Sequence, residues 1–232
     1  MKYLFFKVYI YLFFSLFKLL SQESSLVNKI DSEDIQIDGD LSESVWLKAK
    51  IVPIEFEIEP ANNEPTKKKT LVYILYSSKE LFIAYQAFED QENIRASIRS
   101  RDAKGFWTDD VIIAHIDTFR DARSNVCLAV NPMGSQFDFL FENFGPRATF
   151  DVNFNINYES VGKINNEGYV VEMRVPFSEI AFEDNSSQIW NMRFRRRYYS
   201  DGLLHENSSQ KIDRDNLCLI CQTTDPFEFK NI

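Results

Sequence analysis

Leu71-Val-Tyr-Ile-Leu-Tyr-Ser-Ser-Lys-Glu-Leu-Phe-Ile-Ala-Tyr-Gln-Ala-Phe88 decides the fold class. Two runs rich in β-branched and aromatic residues, 71–76 and 81–88, flank the polar Ser77-Ser-Lys-Glu80 and read as a β-hairpin. The same grammar repeats outward. Residues 54–58 alternate, with Ile54, Phe56 and Ile58 on one face and Glu55 and Glu57 on the other. Strand character recurs at 35–37, 111–116, 126–130, 137–141, 154–158, 169–176 and 190–199. Turn chemistry separates these runs at Asn131-Pro-Met-Gly134, Gly145-Pro146 and Asn165-Asn-Glu-Gly168. Two short helices are expected. One covers 42–50, with Ser42 as its cap and Val45, Trp46 and Ala49 on one face; the other lies around 93–100. Many short strands with regular turn signals predict an all-β, antiparallel β-sandwich of immunoglobulin-like or jelly-roll-like type.

Composition agrees. The 232 residues are 44% hydrophobic and 15% aromatic, with only 7 Gly and 7 Pro, so collagen-like and disordered classes are excluded. Phe supplies 21 of the aromatic residues against 10 Tyr and 3 Trp, so most of the ring content carries no polar handle and suits strand packing. Thirty-five acids outnumber 26 bases. That balance argues against nucleic acid as partner, because phosphate binding needs a cationic face.

Residues 1–21 read as a secretory signal peptide. Lys2 and Lys7 precede the apolar run 8–17, which is shorter than the ~20 residues of a spanning helix. Cleavage is expected near Ser21. Losing Lys2, Lys7 and Lys18 leaves 23 bases against 35 acids, a net charge of −12, which favours a neutral or cationic partner over an anionic one. The expected location is therefore exported: periplasmic, cell-envelope or extracellular. A polar spacer at 22–34 leads into the sandwich at 35–200, and 201–232 read as an atypical tail. The mature chain has no run long enough for a transmembrane helix.

Several phrases, taken in order, resemble a known family. Ile37-Asp-Gly-Asp-Leu-Ser-Glu-Ser-Val-Trp46 is similar to the opening of family 9 carbohydrate-binding-module-like domains. The likeness continues through 71–76, 81–85 and Arg99-Ser-Arg-Asp102. It is sharpest at Trp107-Thr-Asp-Asp110, His115-Ile-Asp-Thr-Phe-Arg-Asp-Ala-Arg123, residues 129–138 and Val175-Pro-Phe-Ser-Glu-Ile180, and it closes at 190–197. The chain resembles the subgroup found at the N-terminus of exported bacterial proteins, ahead of a large membrane-associated β region. That region does not follow here, so the expectation is a truncated or stand-alone copy. The resemblance implies the sandwich and a non-catalytic module for a polysaccharide or glycan, of the kind associated with glycoside hydrolases and carbohydrate catabolism. Where the family usually carries a Trp near Asp151, this chain has Phe150-Asp-Val-Asn-Phe154.

Sugar recognition needs a flat π face for C–H surfaces and forked polar groups for hydroxyls. Trp107, in the polar loop Lys104-Gly-Phe-Trp-Thr-Asp-Asp110, is the leading platform candidate, with Phe150 and Phe154 behind it. The polar candidates are Arg101, Asp102, Asp109, Asp110, Asn131, Gln136, Asp138 and Asp151. Each has a structural alternative: Arg101 as an acid's partner fixing the loop, Asn131 as a turn former, Trp107 as a loop anchor. Trp46 and Trp190 read as core. No cofactor is implied. Calcium needs 6–8 oxygens, and only scattered acids could supply them. A haem-binding variant of the sandwich has just Met133 and His115 as ligand types, with nothing pairing them.

The remaining motifs read as structure. His115 lies in a strand pattern and is expected to be a satisfied structural histidine. Arg193, Arg195 and Arg197 share a strand face opposite Phe194, Arg196 and Tyr198 and read as a solvated or acid-paired row. Cys218 and Cys221 lie three apart in a run of strand character, on opposite faces, so neither a disulfide nor shared metal ligation is expected. There is no G-x-S-x-G, H-E-x-x-H, P-loop or G-x-G-x-x-G, so an enzyme is a thinner reading than a binder. A third reading is an interaction domain for an envelope β-barrel protein.

Overall fold

In the computed structural model, which describes residues 24–144 and 147–232, the 71–88 stretch is the central hairpin of the smaller of two sheets. The signal-like segment 1–21 and the Gly145-Pro146 turn lie outside the described residues. The first strands are β1 Ser25–Leu26, β2 Asn28–Lys29, β3 Lys50–Pro53, β4 Phe56–Glu59 and β5 Glu64–Pro65. β6 Thr70–Tyr76 and β7 Glu80–Phe88 form the hairpin, followed by β8 Val111–Asp117, β9 Ser124–Val130 and β10 Gln136–Phe144. Then come β11 Arg147–Asp151, β12 Glu159–Asn165, β13 Gly168–Pro176, β14 Ser187–Ser200, β15 Leu203–Ser208 and β16 Asp225–Lys230.

The large sheet runs β11-β10-β9-β8-β14-β15-β4-β5, with β16 also on β14 and β1 on β16. The small sheet runs β12-β13-β7-β6-β2, with β3 on β6. Pairing is antiparallel except for the two short bridges β1–β16 and β2–β6. The two sheets pack face to face through alternate residues. Val72 and Ile74 of β6, Ile83 and Tyr85 of β7, and Met173 of β13 meet Ile112 and Ala114 of β8 and Trp190, Met192 and Phe194 of β14.

The outer faces are treated differently. The small sheet's outer face, Leu75, Phe82 and Ala84, is covered by Ile30, Ile35, Ile37, Val45 and Trp46. This explains why β6 and β7 read as near-continuous apolar runs: they are buried on both sides. Glu172 on β13 clamps the covering segment by accepting the Asp38 and Gly39 N–H groups at 2.9 and 2.7 Å. On the large sheet, Val111, Ile113, Cys127, Ala129 and Phe139 gather with Phe106 and Ile220 into a second cluster on the outer face.

Several local expectations give way to long-range pairing. The expected helix at 42–50 is one 3-10 turn, Ser44–Lys48, preceded by Glu43 rather than capped by Ser42. The chain leaves it at once because Lys50–Pro53 pairs with β6. The expected helix at 93–100 is a 3-10 turn, Gln91–Asn93, followed by an extended loop. The loop's backbone groups find distant partners: Arg95 C=O accepts from Asp110 N–H, Ser97 N–H donates to Asp109, and Arg99 N–H donates to Ser135 Oγ. Residues 35–37 and 154–158 join no ladder. β11 and β12 are polar sheet edges with no alternation to betray them.

Residues 201–232, set apart as a tail, supply β15 and β16, which flank successive halves of β14. Phe229 of β16 is fully buried against Tyr76 and Trp190, with ring centroids 5.3 and 4.8 Å away. Phe229→Ala should therefore cost about 3–5 kcal/mol, the range for large-to-small core changes, measured as a lowered urea midpoint. A dispensable tail would leave that midpoint where it was.

Candidate functional site

β14 builds the site by alternation. Its even positions Trp190, Met192 and Phe194 enter the core, so its odd positions Arg193, Arg195 and Arg197 leave through the opposite face. There they meet a cavity of about 760 Å³ on the outer side of the large sheet. Ile113 and His115 of β8 lie beside the arginines, with His115 directly across the ladder from Arg193. One wall is aromatic: Phe137, Phe139 and Phe141 of β10, then Phe150 of β11. The other carries Ile58 and Glu59 of β4, Glu206 of β15, and Ile212 and Arg214. Trp107, Val152 and Leu219 complete the lining.

The aromatic wall is held by ring contacts. Trp107 sits edge-on to Phe106 at 5.3 Å and Phe137 at 5.1 Å, and the Arg197 guanidinium lies over its ring at 5.6 Å. Phe150 stacks on Phe141 at 4.7 Å, yet is 60% exposed, so it offers an open ring.

The charges are unevenly paired. Glu206 serves both Arg195 and Arg197, the latter at 3.7 Å, and Arg214 lies 3.4 Å from Glu59. Arg193, 3% exposed, makes no ion pair among the described residues. Burial pushes its pKa down to about 10, so it stays cationic at neutral pH. His115 is 1% exposed; burial, then Arg193 and Arg195, hold its pKa well below the ordinary value and keep the ring neutral. Its Nδ1 lies 3.1 Å from Cys127 Sγ, and its Nε2 has no partner. His115 is therefore not the satisfied histidine the strand pattern suggested. The arginine row is recessed rather than solvated, and one acid serves two of its members.

Of the eleven candidate residues, Trp107 and Phe150 line the cavity. The others are placed elsewhere. Arg101 donates to Asp138 Oδ1 at 2.9 Å and to Ile156 C=O, while Asp138 Oδ2 accepts Ile156 N–H at 2.8 Å. Asp102 accepts Asp138 N–H at 3.3 Å. Burial works against Asp109, but hydrogen bonds from Arg99 and Asn131 hold its carboxyl below the usual range. Asn131 locks its own turn by accepting the Met133 and Ser135 N–H groups. Gly134 in that turn has φ +79°, and a Cβ there would meet Gly162 N at 2.8 Å. Gln136 donates to Tyr158 C=O and Ser160 Oγ. Asp151 is exposed and accepts Asn153 N–H, and Phe154 packs against the main core. Met133 is exposed and is not among the lining residues.

Cys218 and Cys221 form a disulfide, with Cα atoms 5.4 Å apart, contrary to the expectation from a strand. The segment is not a strand. A 3-10 turn at Ile220–Gln222 brings the two side chains to one side and presents Leu219 to the cavity. Among the described residues, no group of three or more His, Cys, Asp or Glu is placed to hold a metal ion.

The missed residues were readable only as parity. Positions 137, 139 and 141 share a face, as do 193, 195 and 197, but period 2 does not say which face stays open.

No family model and no curated protein matches the chain. Solved structures do. Two are of a family 9 carbohydrate binding module from Caldicellulosiruptor kristjanssonii, one in complex with cellotriose and one with glucose. Each is 13% identical with a TM-score of 0.58; both cover 90% of this chain, and 93% and 95% of those chains respectively. A third is a candidate carbohydrate-binding protein from Bacteroides uniformis, 15% identical with a TM-score of 0.62, covering 90% of this chain and 98% of the other. At such identity the likeness is one of fold, and it agrees with the sandwich implied by the sequence resemblance.

Asp110 is fully buried, and both its carboxyl oxygens lack hydrogen-bond partners. Burial raises its pKa to about 7, against the opposing pull of Arg196. Because the folded value lies above the ordinary one, its contribution is fully present below pH ~4 and is lost as pH rises through 7. Asp110→Asn should flatten the fall in urea midpoint between pH 4 and 8. Parallel curves for variant and wild type would contradict this placement.

Proposed function

We propose that the protein is a non-catalytic carbohydrate-binding module whose ligand occupies the large-sheet cavity. One observation carries the reading: aromatic rings and guanidinium donors face a single cavity of about 760 Å³. Trp107 and Phe150 offer π faces for sugar C–H surfaces, and the arginines offer forked donors for hydroxyl and ring oxygens. Its size suits a small part of a glycan chain. The fold neighbours from Caldicellulosiruptor kristjanssonii, solved with cellotriose and glucose, support the same reading.

Binding is favoured over hydrolysis by the state of the acids. Glu59 and Glu206 are the lining carboxylates, and both are ion-paired to arginine. A glycosidase's general acid is instead a carboxyl kept protonated by its surroundings. We place the protein outside the cytoplasm. The signal-like 1–21 segment and the Cys218–Cys221 disulfide both support this, since disulfides persist in oxidising compartments. No helix among the described residues is long and apolar enough to cross a membrane.

A glycan panel covering neutral and acidic oligosaccharides tests the reading. Wild type is expected to retain at least one glycan class, and Trp107→Ala to weaken it about tenfold, equivalent to ~1.4 kcal/mol. Leu47→Ala, 89% exposed on the cover of the other sheet, should bind like wild type. Retention of no glycan rejects the function; unchanged affinity in Trp107→Ala rejects the site.

A further inference from the structure

The cavity's polar groups are of one sign to excess. Four arginines line it against two glutamates, in a chain whose net charge is −9. Glu206 is committed to Arg195 and Arg197, and Glu59 to Arg214. Arg193 is the one lining arginine left over among the described residues. Its position explains why. β16 pairs with β14 as far as Met192, and β15 takes over only at Arg195, so Arg193 sits in the gap between two partner strands. On its other side the ladder places neutral His115. Among the described residues no ion pair reaches it, and the acid at the end of β16, Asp225, stands opposite Met192 rather than Arg193.

A buried charge without a counter-charge is costly, so such a group is stabilised when something supplies the missing anion. The second donor is beside it. Cys127, whose thiol stays protonated in its buried site, has Sγ 3.1 Å from Nδ1 of His115 and 3.6 Å from Asn125 C=O; when the thiol hydrogen is directed to Nδ1, the neutral ring carries its own hydrogen on Nε2. That nitrogen is buried and has no hydrogen-bond partner among the described residues, and its residue lines the cavity. With the ring in that form, guanidinium and imidazole N–H make an acid-free donor pair beside an aromatic wall.

Resting on the glycan reading above, we propose that Arg193 and His115 receive a sugar carboxylate, so that the cavity selects a uronic-acid residue over a neutral one. The forked guanidinium matches the two carboxylate oxygens, as a lone hydroxyl does not. Phe150, stacked on Phe141 and 60% exposed, supplies the lining ring for the sugar's apolar face. The overall acidity of the chain does not oppose this, because screening limits surface charges to about 8–10 Å at ordinary ionic strength, while the recessed arginines act at contact.

Titration calorimetry on the full chain tests the proposal. The probes are uronic-acid trisaccharides of several linkages, each paired with the same trisaccharide after its carboxyls are reduced to hydroxymethyl groups. The expected result is at least tenfold tighter binding of the acid form for one pair, shrinking as salt is raised. Arg193→Met should abolish the preference; Arg193→Lys, which keeps the charge, should retain part of it. Thermal unfolding of each variant separates loss of preference from loss of fold. Acid and reduced forms binding equally, or a preference that survives Arg193→Met, overturns the proposal while glycan binding stands. No binding by either form, together with an empty neutral panel, overturns both readings.

Discussion

The register of β14 is the constraint on which the site depends. Trp190, Met192 and Phe194 are fully buried between the sheets, and a slip of one residue would exchange them for Asn191, Arg193 and Arg195. Burying that arginine-bearing face in an apolar core without partners is far too costly to compete. The apolar demand of one face thus fixes the cationic character of the other. β8 on one side, and β16 then β15 on the other, hold the strand along its length.

The two outer faces then diverge. The small sheet is sealed by the segment carrying Ile37 and Trp46, and the Glu172 clamp makes that cover part of the fold. The large sheet keeps an opening between β10 and β4, because its outer residues are bulky rings on one side and paired charges on the other. The loops around it are tied. Arg99–Asp109 closes the 95–110 segment on itself, Asn131 donating to Asp109 joins it to the turn after β9, and Arg101–Asp138 joins it to β10, so Trp107 is delivered by a braced loop. Much of the polar residue set that looks ligand-like in sequence is spent on this bracing.

Fold class was legible because it rests on local signals. Short runs of β-branched and aromatic residues such as 71–76 and 111–116, separated by turn chemistry, favour antiparallel sheets. The site was legible in one part. Trp107 stands out as an indole in a Gly- and Asp-rich loop, and Phe150 by its place near Asp151. Arg101, Asp102, Asp109 and Asn131 share that loop chemistry, yet much of their hydrogen-bond capacity is taken by residues distant in sequence, Asp138 for Arg101 and Asn131 for Asp109. Nothing local announces that saturation.

Sequence by itself determined the sandwich, the core roles of Trp46 and Trp190, the shared face of Arg193, Arg195 and Arg197, and the acidity of the chain. Each follows from spacing or composition, which the chain carries at every point. Only the tertiary structure decided which face of the large sheet stays open, that β15 and β16 complete it, that a turn joins Cys218 to Cys221, and that Arg193 lacks a partner. Those depend on strand order and on where neighbouring strands end. Apart from the Cys218–Cys221 turn, which spans three positions, such contacts form between residues far apart in sequence, and no local pattern encodes them.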